Sequence, residues 1–226
     1  MTTTRVLVIV TSHGLIDAVP RTGIWFTEFS EPYAALVAAG FVVTVASPLG
    51  AAAPVDPRSY PDAASIGAAR DALAHLNATY PLDALRATDF DAVFLPGGHG
   101  PMFDTARDPA LKVLLRDFHD ARKPVGAVCH GPAGLLGVKL ADDSTLLHGK
   151  RVTGFTRAED DVDELFHYMP FALQDAMAAE GATFVEQPPK SAHVEVDGLL
   201  ITGQNPASAG LTALAFCSVV AASVAA

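Results

Sequence analysis

Cys129 is the residue in this 226-residue chain best placed to act as a nucleophile. It closes the run Lys123-Pro-Val-Gly-Ala-Val-Cys129 and is followed by His130 and Gly131-Pro-Ala-Gly-Leu-Leu136, so a strand passes directly into the start of a helix. A sharp strand-to-helix elbow needs small residues two places either side of its nucleophile, because the turn brings those backbones close. Ala127 and Gly131 meet that requirement. A helix N-terminus beneath the sulfur is expected to favour the thiolate, the reactive form of cysteine. A lone cysteine after a β-run is ordinarily a buried structural residue; here the small neighbours, His130 and the helix start coincide. Cys217 lies in an apolar helical run with no acid or base nearby and reads as core.

Pro96-Gly97-Gly98-His99-Gly100 closes the preceding strand. This turn lacks the Lys-Ser/Thr of a phosphate loop and the spacing of a dinucleotide fingerprint. Its better use is to aim the Gly98 N–H, together with that of His130, at a developing oxyanion. His13 and His99 both follow strands at the same end of the sheet and are candidates to line a pocket. No set of His, Cys and carboxylates has the spacing of a metal site.

The elements that must position these groups alternate between short β-branched runs and longer helical patterns, as in parallel βαβ units. Strands are expected at 5–11, 41–47, 91–95 and 124–128, and helices at 28–40, 66–77 and 109–122. The segment 47–61 holds Pro48, Pro54, Pro57 and Pro61 and reads as an irregular excursion. Residues 131–136 start a further helix, 151–154 form a short strand, and helical stretches flank Met169-Pro170. Late strands at 183–186, 193–196 and 199–202 follow, the last two joined by Asp197-Gly198. A final helix begins near Asn205-Pro206, with proline at a tolerated first-turn position. With no repeat or linker, residues 1–226 read as one α/β domain, a flavodoxin-like, parallel-rich sheet between helices.

Half the residues are apolar and 18% are charged, enough to bury a sizeable core. The net charge of −10 and the absence of a Lys/Arg cluster argue against nucleic acid as a partner. The run 6–10 is too short for a signal-peptide core. No stretch is expected to reach membrane-spanning length, the tail 211–226 reading instead as a buried helix. The two cysteines, in a chain with no export signal, are expected to stay reduced in a cytoplasmic protein.

These motifs together resemble the ThiJ/PfpI superfamily, whose fold is shared with class I glutamine amidotransferases. Within it, the likeness is to heat-shock chaperone-like and glutathione-independent glyoxalase proteins. It is carried by Thr22-Gly-Ile-Trp25 with Glu28 and Pro32-Tyr33, by Ala46-Ser-Pro48, and by Pro54-Val-Asp-Pro-Arg-Ser59. Leu95-Pro-Gly-Gly-His-Gly100, Gly126-Ala-Val-Cys-His-Gly131, Val152-Thr-Gly-Phe-Thr156 and Thr202-Gly-Gln-Asn-Pro206 complete it. The resemblance implies that Cys129 is the nucleophile, that His130 is its triad-like partner, and that Glu28 is the carboxylate set against the sulfur. It implies an acidic partner after Thr156, where Asp160, then Glu159, then Asp161 compete. His99 and Trp25 are expected to bind substrate. A carboxylate beside a thiolate should have a raised pKa and hold a proton.

The function so implied is cofactor-independent conversion of methylglyoxal-like 2-oxoaldehydes to 2-hydroxy acids, with a homodimer as the expected assembly. Two rivals stand beside it. A Cys-dependent amidase or peptidase-type hydrolase of amidotransferase kind would need His193 and Glu195 beside Cys129, although the alternation with Val194 and Val196 reads as a strand with its polar face to solvent. A stress chaperone or redox sensor would use an accessible, reversibly oxidised cysteine.

Overall fold

The computed structural model describes residues 3–16, 21–62, 65–67, 70–162 and 166–225. A seven-stranded sheet carries the fold, in the order β3-β2-β1-β4-β5-β9-β8. Its strands are β1 (Arg5–Ile9), β2 (Val42–Ser47), β3 (Tyr80–Pro81), β4 (Ala92–Leu95), β5 (Val125–Val128), β8 (Val194–Asp197) and β9 (Leu200–Gly203). All pairings are parallel except β8 with β9, a hairpin through Gly198-Leu199. The run β2-β1-β4-β5-β9 is the flavodoxin-like order, in which ligands gather beyond the strand carboxyl ends where the order reverses.

The period-two alternation of each strand sorts its side chains into two cores. Leu7, Ile9, Val93, Leu95, Val125, Ala127 and Leu200 face α3 (Pro109–Asp120), which answers with Leu111, Leu114, Leu115 and Phe118. Val6, Val8, Val10, Ala92, Phe94, Val128 and Ile201 face the other way. There α1 (Phe26–Ala38) supplies Phe26, Phe29 and Leu36, and α6 (Ala209–Ala225) supplies Phe216 and Val220. On the same side, α2 (Arg70–Leu76) buries Ala72 and Leu76.

Several expectations are corrected. Residues 131–136 do not begin an α-helix; Gly131–Leu135 is a 3-10 turn that ends as Leu136 returns to extended backbone. The strands expected near 151 and 183 shrink to β6 (Arg151–Val152) and β7 (Thr183–Phe184), which pair with each other as a separate ladder lying against β8. The helical stretches about Met169-Pro170 are α4 (Arg157–Asp160), a 3-10 turn at Phe166–Tyr168 and α5 (Leu173–Ala179). Part of the helix expected at 66–77 and of the stretch before Met169 falls on 68–69 and 163–165, outside the described residues.

The stretch Pro206–Ala225 is long and apolar enough to cross a bilayer, contrary to expectation. Nor is it buried all round. Ala209, Thr212, Ala213, Phe216 and Val220 are covered, whereas Leu211, Leu214 and Val224 are exposed. The exposed positions mix Leu211, Leu214 and Val224 with Ala221, Ala222, Ala225 and Ser218, none of them charged, so the helix is apolar in composition although only one stripe packs.

Gly126, on β5, has no room for a side chain in the second core. A Cβ there would lie 2.5 Å from Phe94 Cδ2 and 2.8 Å from Phe216 Cδ2, and those rings already meet edge-on at 5.3 Å. Gly126→Ala should therefore destabilise the protein by about 1–3 kcal/mol, as overpacking does. Urea unfolding checks this; an unchanged midpoint would show that the two rings yield freely.

Candidate active site

Three loops at the carboxyl end of the sheet converge on Cys129. The residue has φ +59°, the left-handed region, which costs a non-glycine residue of order 1–3 kcal/mol. The conformation is clamped on both sides. The Cys129 N–H donates to the Gly203 carbonyl at 2.9 Å, and the Phe155 N–H donates to the Cys129 carbonyl at 2.9 Å. Gly131 is obligatory beneath it, since a Cβ there would collide with the carbonyl oxygens of Leu95 and Pro96.

His130 follows immediately. Its Nδ1 lies 3.4 Å from Cys129 Sγ, and its Nε2, on the opposite side of the ring, lies 3.6 Å from Asp160 Oδ1. The second distance suits an ion pair and exceeds a hydrogen bond. Both residues are about 1% exposed. Phe155 packs against the His130 ring at 4.5 Å, and His99 does so at 4.7 Å.

The three competing carboxylates have three different surroundings. Asp160 faces His130. Asp161 turns outward to Arg157. Glu159, although buried, is occupied: it forms a capping box with Thr156 at the start of α4. Its Oε1 accepts from Asn205 Nδ2 at 2.7 Å and from the Lys190 N–H at 2.8 Å, and its Oε2 accepts from Thr156 Oγ1 and Gln204 Nε2. The expectation of Glu159 as a catalytic candidate is thus corrected to an anchor that fixes the helix turn presenting Asp160.

Glu28 enters from the first turn of α1 and is fully buried. Its carboxyl faces the Cys129 thiol, with the Gly97 and Gly98 backbones alongside. Burial pushes its pKa up to about 8 from an ordinary 4.5, so it carries a proton at neutral pH. The Cys129 thiol is likewise pushed well above its usual value, first by burial and then by the charge that Glu28 would carry. This corrects the expected thiolate. A five-residue 3-10 turn supplies little dipole, and the dry surroundings penalise the anion. The Gly98 and His130 N–H groups oppose that penalty only in part.

The resulting chamber, about 70 Å³, is lined by Trp25, Glu28, Gly98, His99, Cys129, His130, Phe155 and Pro206. A single water needs roughly 10–15 Å³ on this measure, so the space beside the sulfur suits a group of a few non-hydrogen atoms, and a hollow of about 430 Å³ shares its Phe155 and Pro206 walls. Larger hollows of about 510 and 640 Å³ lie near the strand amino ends, lined by segments such as Lys123–Val125 and Leu199–Leu200, and hold no nucleophile.

His13 does not reach the chamber; it stacks on Phe103 at 4.6 Å. His193 immediately precedes the edge strand β8 and Glu195 lies on it; their side chains approach to 3.1 Å, and Glu195 pairs with Arg151. They are not solvent-facing as expected. Their side chains are 16% and 12% exposed, covered by the β6 segment, whereas Val196 is exposed. Both cysteines are free thiols. Among the described residues no group of His, Cys, Asp and Glu is placed to hold a metal. Phe155, Pro206 and Gly203 have roles that the sequence reading assigned to no one residue, although all three stand in motifs that it quoted.

Comparison with known proteins agrees with this geometry. The DJ-1/PfpI family model matches residues 22–219. This chain belongs to the DJ-1/PfpI family. It is 31% identical over 214 residues to the glutathione-independent glyoxalase hsp3102 of Schizosaccharomyces pombe, covering 88% of this chain and 89% of that one. The crystal structure of glyoxalase III from Candida albicans superposes with a TM-score of 0.88 at 25% identity, covering 96% and 97%. The Rapid Encystment Protein of Francisella tularensis gives 0.90 at 27% identity, covering 96% and 99%.

Folding raises the pKa of Glu28, so the folded state holds this proton more tightly than the unfolded chain between about pH 4.5 and about pH 8. Stability contributed by the group is complete below that window and is lost as pH rises through it. The loss should be on the order of 1 kcal/mol per pH unit. Glu28→Gln, which cannot ionise, should flatten the profile in urea unfolding across the window. Parallel profiles for the two proteins would mean that Glu28 is ionised in the folded chamber.

Proposed function

We propose that this protein is a glutathione-independent glyoxalase, converting small 2-oxoaldehydes of the methylglyoxal type to 2-hydroxy acids. The observation that carries the reading is the protonated Glu28 carboxyl set against Cys129, with His130 at 3.4 Å, in a chamber of about 70 Å³. The glyoxalase relatives matched over most of their length support it.

As the sulfur attacks the aldehyde carbon, the thiol proton passes to His130, and Asp160 stabilises the imidazolium. The Gly98 and His130 N–H groups hold the forming oxyanion, which takes the proton back from His130 to give a neutral hemithioacetal. His130, again neutral, removes the hydrogen from C1, while Glu28 gives its proton to the oxygen on C2, forming an enediol. Reprotonation at C2 and loss of the C1 hydroxyl proton leave a thioester, and water releases the 2-hydroxy acid and the free thiol. One carbon is oxidised and its neighbour reduced, so the chemistry balances without an external electron carrier.

The hydrolase alternative needs His193 and Glu195 beside Cys129, and they are absent from the chamber lining. A homodimer, drawn from the family resemblance, and a cytoplasmic setting, drawn from the two cysteines expected to stay reduced, remain proposals; a monomer mass by light scattering would remove the first.

Lactate formation from methylglyoxal without glutathione is the assay. Cys129→Ala should abolish it, and Glu28→Gln should lower kcat by roughly 10²–10⁴, the usual share of general acid–base catalysis. Lactate from wild type no greater than from Cys129→Ala would end the proposal, and full turnover in Glu28→Gln would remove Glu28 from the mechanism.

A further inference from the structure

Arg58 lies outside the chamber, on the proline-rich excursion, yet its guanidinium organises two of the chamber walls. The excursion runs beside the approach to α1: Ile24 pairs with Val55, and the Asp56 N–H donates to the Ile24 carbonyl at 2.9 Å. Asp56 is fully buried and holds Arg58 in a two-pronged grip, Nε to Oδ1 at 3.0 Å and Nη2 to Oδ2 at 2.8 Å. The Arg58 N–H also donates to Oδ1, and Thr22 Oγ1 donates to Oδ2. Thus held, the guanidinium lies over the Trp25 ring at 5.5 Å, and Nη2 reaches His99 Nδ1 at 3.0 Å.

The last contact has a fixed polarity. A guanidinium offers only N–H groups and does not lose its proton in proteins, so His99 Nδ1 must accept through its lone pair. The hydrogen of the neutral ring then resides on Nε2, across the ring from Arg58. His99 is 4% exposed and forms part of the chamber wall beside His130.

We propose that Arg58 is a positioning residue that fixes His99 in its Nε2–H tautomer, so that this wall presents substrate with a hydrogen-bond donor. The chemical consequence, though not the tautomer itself, rests on the 2-oxoaldehyde reading above. Such a substrate has two adjacent oxygens. The Gly98 and His130 amides serve the one on C1, and the one on C2 gathers negative charge as the enediol forms. A donor fixed at that oxygen stabilises the charge without reorganisation, whereas the other tautomer would set a lone pair against it. Loss of a single such donor lowers kcat by roughly 10²–10³.

The test joins nitrogen-15 NMR of the histidine side chains with methylglyoxal kinetics. In the wild-type protein, His99 should give the Nε2–H pattern. Arg58→Met should populate the Nδ1–H form and lower kcat by at least about tenfold, with a smaller change in KM, while His130 keeps its own pattern. Arg58→Lys, which still offers a donor to Nδ1, should retain the wild-type tautomer and recover most of kcat. A wild-type His99 in the Nδ1–H form would overturn the inference without any variant. So would an Arg58→Met protein with unaltered tautomer and kcat, or an Arg58→Lys protein that keeps the tautomer yet stays as slow as Arg58→Met. If wild type forms no lactate at all, the glyoxalase reading fails while the spectra still decide the tautomer.

Discussion

A carboxyl and a thiol pressed together out of water can carry at most one negative charge between them. Two unit charges about 4 Å apart repel by roughly 4 kcal/mol even at an effective dielectric of about 20, equivalent to about three pKa units. Desolvation adds to this on each group and is the larger cause for both Glu28 and Cys129. Burial thus disfavours the anion on the acid and on the thiol alike. Reactivity has to arise by moving a proton, and His130 is the group within reach of the sulfur to take it. Asp160 then faces the imidazolium at 3.6 Å, a separation that rewards charge on His130 more than it orders the neutral ring. A thiol that is silent until its proton has somewhere to go also resists idle oxidation, since the thiolate is the vulnerable form.

Keeping that pair dry and aligned imposes demands on backbone far from the chemistry. The left-handed turn at Cys129 holds because the Gly203 carbonyl and the Phe155 amide grip it from two other segments. Gly203 can lie close only because it lacks a Cβ, which would strike Thr212 on α6. The residues after it continue the work: Gln204 and Asn205 tie down Glu159, which caps the turn that presents Asp160, and Pro206 closes the chamber. One five-residue motif, Thr202 to Pro206, thus serves the nucleophile, the acidic partner and the wall together. Its value lies in positioning, and a search for reactive side chains passes over it.

This explains which parts were legible in the sequence. The elbow was visible because its requirement is local: small residues about a cysteine at the end of an apolar run. The alternation of strands and helices followed from periodicity, and Glu28 from the family resemblance. The ranking of Asp160 against Glu159 was not local. Adjacent residues on one helix turn look alike in sequence, and only the hydrogen bonds from Asn205, Gln204 and Lys190 show which of the two is already occupied. The expected thiolate failed because it rested on a helix that is a 3-10 turn, and because burial cannot be read from residue types beside a cysteine. His193 and Glu195 show the same limit. Their alternation with valine was read correctly as a strand, but the face that β6 covers is a tertiary fact.

The chamber separates two duties by segment. In the proposed mechanism the chemistry falls to Glu28, Cys129, His130 and Asp160, of which Cys129 is clamped from two other segments. Size and polarity belong to Trp25, His99, Phe155 and Pro206, which come from four loops. Of these, Trp25 and His99 both contact Arg58 on the proline-rich excursion, a segment with no part in the sheet's core strands. Prolines suit that position. A wall that must exclude water yet receives only modest packing needs a chain that has little conformational freedom to lose, and proline lowers the entropy of the unfolded segment without demanding a ladder of hydrogen bonds. The excursion thus shapes two walls through Arg58 without touching the clamps on Cys129, so wall and elbow are held by separate segments.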